Sequence, residues 1–122
     1  MRLRPGQRLR RNADFRAVRE AGRRVDCGAF LLTWRVRPAA ETARAARVGV
    51  VASRAAVGGA VERNRAKRRL REIYRRSQAL VPPSLDLILT ARRAVLELEF
   101  SEVAKRFAAA CQKMGAAVPP HA

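Results

Sequence analysis

Histidine, cysteine, acidic and aromatic residues are all scarce in this 122-residue chain, and each shortage closes off a class of function. The single histidine, His121, lies in the tail AAVPPHA, so a histidine base or Ser-His-Asp arrangement has nothing to pair with Ser53. Cys27 and Cys111 are far apart, outside any CxxC pair and away from the histidine. They read as two reduced thiols rather than a disulfide framework or zinc site. No apolar run approaches the roughly 20 residues that span a bilayer. The N-terminus MRLRPGQRLRR has no apolar core of a secretory signal. The expectation is therefore a soluble, cytoplasmic protein with no membrane partner. The acids number ten, and the nearest pair, Glu97 and Glu99, has no third carboxylate placed by motif, so a two-metal nuclease site has little to stand on. Gly58-Gly59 lacks the rest of a P-loop.

Against those shortages stands a net charge of +17 from 27 basic residues, of which only Lys67, Lys105 and Lys113 are lysine. A field of this size attracts polyanions and accelerates association with them. Guanidinium, being planar and bidentate, suits phosphate and base stacking. A length of 122 residues with a 48% hydrophobic fraction is enough for one modest core.

The order of elements follows from periodicity. Pro5-Gly6 keeps residues 1–11 extended, and Asn12 is placed to cap a helix that runs to Gly22, with Asp14 in its first turn. GAFLLTWRVR (28–37) reads as a strand with Phe30, Leu32, Trp34 and Val36 on one face and Leu31, Thr33 and Arg35 on the other. RVGVVAS (47–53) reads as a second strand, antiparallel to the first and central because its apolar run is nearly continuous. A helix over about 61–79 follows, then a strand over 85–92 and a last helix from Ser101, a plausible N-cap, to Met114. This α-β-β-α-β-α order describes a small α+β two-layer sandwich with a mostly antiparallel sheet. It forms a single domain over 1–114, with 115–122 as a flexible tail.

The stretch ERNRAKRRLREIYRR (62–76) holds eight basic residues and only Glu62 and Glu72 as acids. On a helix, Ala66, Leu70, Ile73, Tyr74 and Ser77 fall within about a third of the circumference. Asn64, Arg65, Arg68, Arg69, Arg71, Arg75 and Arg76 fill most of the remainder. One face can pack while the other carries a field that a polyanion would relieve. RNA is preferred to specific duplex DNA because no helix-turn-helix or zinc-finger pattern is present. A ribosomal-protein-like RNA binder and a stand-alone nuclease remain as alternatives on these features.

RVGVVASRAAVGGAVERNRAKRRLREIYR (47–75) resembles the signature of the protein subunit of bacterial ribonuclease P, and Arg63, Asn64, Arg65, Lys67, Arg68, Arg71 and Glu72 match that family's pattern. RLRRNADFRAVREAGRR (8–24) is similar to its N-terminal basic segment and first helix, with Phe15 at the Asp-Phe position. The resemblance implies a left-handed βαβ crossover around the basic helix, against the usual preference. It also implies partnership, as a monomer in a 1:1 complex, with a catalytic RNA that removes the 5′ leader of precursor tRNA. RNA and Mg²⁺ would perform the hydrolysis, and no catalytic residue or bound metal is expected of the protein. The helix residues Arg63, Asn64, Arg65, Lys67, Arg68, Arg69, Arg71 and Arg75 would hold RNA. A cleft between the first helix and the sheet would guide the leader, with Arg8, Arg10, Arg11, Asn12, Phe15, Arg19, Thr33, Ser53 and Arg54 as its candidates. The chain departs from the family's usual pattern at Arg19 and Thr33, where aromatics are common, and at SRAAVGG, which has one basic residue in place of two.

Overall fold

The period-2 alternation in 28–37 and 85–92 produces two seven-residue strands in the computed structural model, which describes residues 8–9, 11–37 and 46–117. In chain order the elements are helix α1 (Asn12–Ala21), strands β1 (Arg23–Asp26), β2 (Phe30–Val36) and β3 (Arg47–Val51), and short helix α2 (Arg54–Val57). The long basic helix α3 (Ala60–Arg76) follows, then a 3₁₀ turn at Gln78–Leu80, strand β4 (Leu85–Ala91), short helix α4 (Ala94–Glu97) and helix α5 (Phe100–Ala117). The strand order is β1-β2-β4-β3, antiparallel except for the parallel β3/β4 pair. The β3-α3-β4 passage is therefore a βαβ unit in an α+β fold.

Two strand expectations need correction. β3 is not central: β4 lies between it and β2. Its apolar run is instead covered by the N-terminal segment, where Arg8 bridges to Val48 and the Leu9 amide donates to the Val48 carbonyl at 2.9 Å. This extra strip occupies hydrogen-bonding groups that an edge would otherwise expose. β1 escaped the pattern because RRVD has no apolar alternation; it is a hairpin return strand formed by pairing with β2. The turn depends on Gly28, whose φ of 79° suits glycine, with its amide donating to Asp26 Oδ1 at 2.9 Å.

Helix ends also differ from expectation. α1 begins at Asn12 itself, and no side chain caps it. α5 begins at Phe100, so Ser101 sits inside the first turn, and the helix continues to Ala117, past the boundary expected at 114. The rest of the expected tail, like residues 38–45 and Arg10, lies outside the described residues.

The main core lies between the sheet and the helices α3 and α5. Phe30, Leu32, Trp34, Val48, Leu85, Leu87 and Leu89 meet Ala66, Leu70, Ile73, Tyr74, Val103, Phe107 and Met114 there. The Phe107 ring is 6.3 Å from Phe30 and 6.2 Å from Tyr74, which ties the sheet to both helices. Cys27 and Cys111 are buried in this core, and burial pushes their thiols up to about 11 and about 12. On the opposite face, Ile88 packs with Leu9 and Val18, and Phe15 and Val51 flank them, so α1 forms a smaller layer behind the sheet. Among the described residues no helix is long and apolar enough to cross a membrane.

Candidate RNA-binding surface

α3 separates into a buried and a charged side as its wheel demands. Ala66, Leu70, Ile73 and Tyr74 are at most 2% exposed, and the Tyr74 hydroxyl donates to the Ala46 carbonyl at 3.1 Å. Asn64, Arg65, Arg68, Arg71 and Arg76 are exposed, while Arg63, Lys67, Arg69 and Arg75 are half-buried. Arg63, Lys67 and Arg71 recur every four residues and so share one flank of the helix. Arg8 joins that flank from the N-terminal strip. Burial, and then the charge of Arg8, pull the Arg71 guanidinium below its ordinary value. Arg8 Nε and Arg63 Nε are shielded from solvent and have no acceptor among the described residues. Guanidinium donors shielded this way and left without an acceptor among the described residues are ones that an anion would stabilise.

Other arginines of α3 are partly engaged inside the molecule. Arg69 Nη2 donates to the Leu98 carbonyl at 3.0 Å, and both Arg75 and Arg76 bind Glu72. Those hydrogen bonds hold the Glu72 carboxyl down at about 2.

Across the β3 edge, Leu9 turns into the α1 layer while Arg8 serves the α3 flank, so a two-residue strip connects the two candidate surfaces. On α1, an open groove of about 590 Å³ is lined by Asn12, Phe15, Arg16, Arg19 and Glu20. The Phe15 ring lies directly on Gly49, where an added Cβ would fall 2.4 Å from its Cζ. Phe15 is half-buried, so it is a groove wall and a member of the small cluster at once. The Arg19 guanidinium lies 5.8 Å from its ring centroid, within reach of a cation–π contact.

The remaining candidates are dispersed. Arg11 is exposed at the start of α1. Thr33 is only 5% exposed and sits beneath Gly22, so it supports the sheet and is not available on the groove surface. Trp34 belongs to the main core, with Arg23 stacked on it at 5.8 Å. Ser53 caps α2, its Oγ accepting from the Ala56 amide at 3.1 Å, and Arg54 beside it is exposed. Sequence reasoning missed Arg16, although its position four residues after Asn12 places it on the same side of α1.

It also missed a charged hub. Asp86 is fully buried and accepts from Arg37 Nη1 at 2.7 Å and from Arg47 Nε and Nη2, each at 2.8 Å. Arg35 lies 3.5 Å from the same carboxylate, and Arg47 reaches Asp14 of α1 at 3.6 Å. Burial pushes the Asp86 carboxyl up, but the hydrogen bonds and charges of Arg47 and Arg37 outweigh it and hold it below its ordinary value.

A sequence profile described as Ribonuclease P matches residues 3–115. The chain belongs to the ribonuclease P protein family. Its relatives include the ribonuclease P protein component of Streptomyces avermitilis, 38% identical over 114 residues that cover 88% of this chain and 90% of that one. The ribonuclease P protein component of Acidothermus cellulolyticus is 39% identical over 101 residues, covering 82% of this chain and 81% of the other. Among solved structures, the ribonuclease P protein of Thermotoga maritima superposes with a TM-score of 0.74 at 26% identity, over 87% of this chain and 96% of that one. The ribonuclease P protein of Staphylococcus aureus shares the fold, with a TM-score of 0.71 at 24% identity over 89% and 94% of the two chains. The Arg-Asn-Arg helix and the α1 groove thus belong to a ribonuclease P protein fold.

Proposed function

We propose that this chain is the RNA-binding protein component of ribonuclease P, acting in the cytoplasm as a monomer in a 1:1 complex with the catalytic RNA. In this reading the complex removes the 5′ leader of precursor tRNA, and the RNA carries out the cleavage. The protein's part is affinity and position. The flank of Arg8, Arg63, Lys67 and Arg71 binds RNA phosphates, and the Phe15–Arg19 groove receives the single-stranded leader. The observation that carries this reading is the basic flank of α3, where Arg63, Lys67 and Arg71 recur every four residues and Arg63 Nε is shielded without an acceptor among the described residues, next to an N-terminal strip whose Leu9 packs in the α1 layer. A basic track that meets a stacking surface is what a single strand requires.

Mg²⁺ enters this reading with the RNA. The carboxylates of Asp26, Glu72, Asp86 and Glu102 are each engaged by arginine, and the described residues contain no group of three ligands that could hold a metal ion. Among the described residues, then, nothing favours a metal centre on the protein.

Reconstitution with the cognate ribonuclease P RNA at low Mg²⁺ tests the proposal. The protein should raise precursor-tRNA cleavage well above that of RNA alone. Equal cleavage with and without protein would refute it, and cleavage by protein alone would assign the chemistry to the chain. Within the complex, Arg63→Ala should lower the log–log salt slope of RNA binding by roughly 0.7–0.9, the loss of one phosphate contact.

A further inference from the structure

Arg63 and Arg65 are two residues apart, so they point in directions about 160° apart around the helix axis. One RNA surface along the Arg63 flank leaves the Arg65 flank without a partner. Arg65, Arg69, Glu72 and Arg76 recur at four- and seven-residue spacings on that second flank, which faces α4 and the start of α5. There the guanidiniums of Arg69 and Arg76 lie 5.8 Å and 5.1 Å from the centroid of the half-buried Phe100 ring. Arg69 is anchored on the Leu98 carbonyl at 3.0 Å. The Arg76 side chain is 62% exposed yet held twice, by the ring and by its Nε donating to Glu72 Oε1 at 2.9 Å.

These restraints leave the two Nη groups of Arg76 with no acceptor among the described residues. Glu72 is shared with Arg75, and the nearby Glu97 and Glu99 are both exposed at the turn around Leu98. Arg65, Arg68, Arg69, Arg75 and Arg76 outnumber these three acids. A mobile arginine loses conformational freedom on binding, whereas one already stacked and hydrogen-bonded has lost most of it beforehand.

The geometry points to a second RNA-contact surface on this flank, in which Phe100 and Glu72 orient Arg76 so that its outer fork binds a backbone phosphate of the ribonuclease P RNA. This rests on the proposed function. It adds that the basic helix is held by RNA from two sides, with Arg63 and Arg76 serving different contacts.

The test uses the full chain with the cognate ribonuclease P RNA transcript, measuring the dissociation constant against salt and the hydroxyl-radical footprint. Arg76→Gln should lower the log–log slope by roughly 0.7–0.9 and remove RNA protection at a place distinct from that lost in Arg63→Ala. Phe100→Leu keeps the charge but frees the guanidinium, so it should keep the slope and weaken binding roughly 2–10-fold. An unchanged slope and footprint for Arg76→Gln, alongside a clear effect of Arg63→Ala, would overturn the second surface. Unchanged affinity for Phe100→Leu would overturn the orienting role of the ring. A wild-type chain that fails to bind the transcript would instead overturn the functional reading on which the surface depends.

Discussion

Replacing Asp86 with Asn removes the buried negative charge at the junction of three strands and helix α1. Asp86 is 0% exposed, and its carboxylate accepts three hydrogen bonds, one from Arg37 and two from Arg47, with Arg35 at 3.5 Å. Asparagine keeps the shape but turns an amide toward guanidiniums that already donate, leaving the arginines facing one another. Breaking a buried ion pair from one side costs about 3–5 kcal/mol, and Asp86 is the buried acid that three cations share. For a domain of this length that corresponds to a fall in Tm of roughly 12–20 °C. The loss should depend on pH in a defined direction. A carboxyl held below its ordinary value contributes stability that is fully present above its unfolded value, about 3.9, and lost as pH falls through the lower folded value. Urea unfolding followed by circular dichroism should therefore show a constant gap between wild type and Asp86→Asn from neutral pH to about pH 5. The gap should close only in stronger acid. A variant within about 1 kcal/mol of wild type at pH 7, or a gap that vanishes by pH 5, would refute the hub.

Gly49→Ala should push the Phe15 ring off the sheet, since the new Cβ would lie 2.4 Å from its Cζ, and cost about 1–3 kcal/mol in thermal unfolding. Leader affinity in the reconstituted complex should fall in this variant and in Phe15→Ala; unaltered leader affinity in both would make Phe15 a packing residue only. Tyr74→Phe takes the donor from the Ala46 carbonyl and should lower stability by about 1–3 kcal/mol, with RNA binding unchanged; a Tm equal to wild type would mean that another donor satisfies this carbonyl.

Periodicity was enough to place most of the fold. Period 2 assigned the core face of β2 correctly, and period 3.6 selected the four buried residues of α3 together with Ser77, which is instead a half-buried C-cap. What it could not supply was neighbourhood. The continuous apolar run of β3 reads the same whether a second strand or the Arg8–Leu9 strip covers its edge. Pairing alone makes RRVD a strand, and no local signal carries pairing. For α1, the sequence located the helix but not which side of the sheet receives it. The seat of Phe15 on the sheet depends on Gly49, a residue 34 positions away that no local pattern ties to it.

The same limit explains why arginine count is a poor guide to the binding surface in so basic a chain. Arg35 and Arg37 share strand parity with Thr33, so the sequence alone puts them on the face of β2 opposite Phe30, Leu32 and Trp34. Whether they are exposed or consumed depends on Asp86, the one acid in LDLILTA, which faces them only because β4 is inserted between β2 and β3. Arg92 and Arg106 are likewise paired, with Asp26 and Glu102. Subtracting the arginines that hold the fold leaves two groups on α3, one beside Arg8 and one beside Phe100. Net charge draws RNA toward every side of the molecule, whereas only positions where cations are fixed with their donors outward can hold it in register. If that separation is right, charge-neutral variants at Arg63 and Arg76 will each remove a discrete RNA contact. Equivalent variants at Arg92 or Arg106 will alter stability and leave the footprint intact.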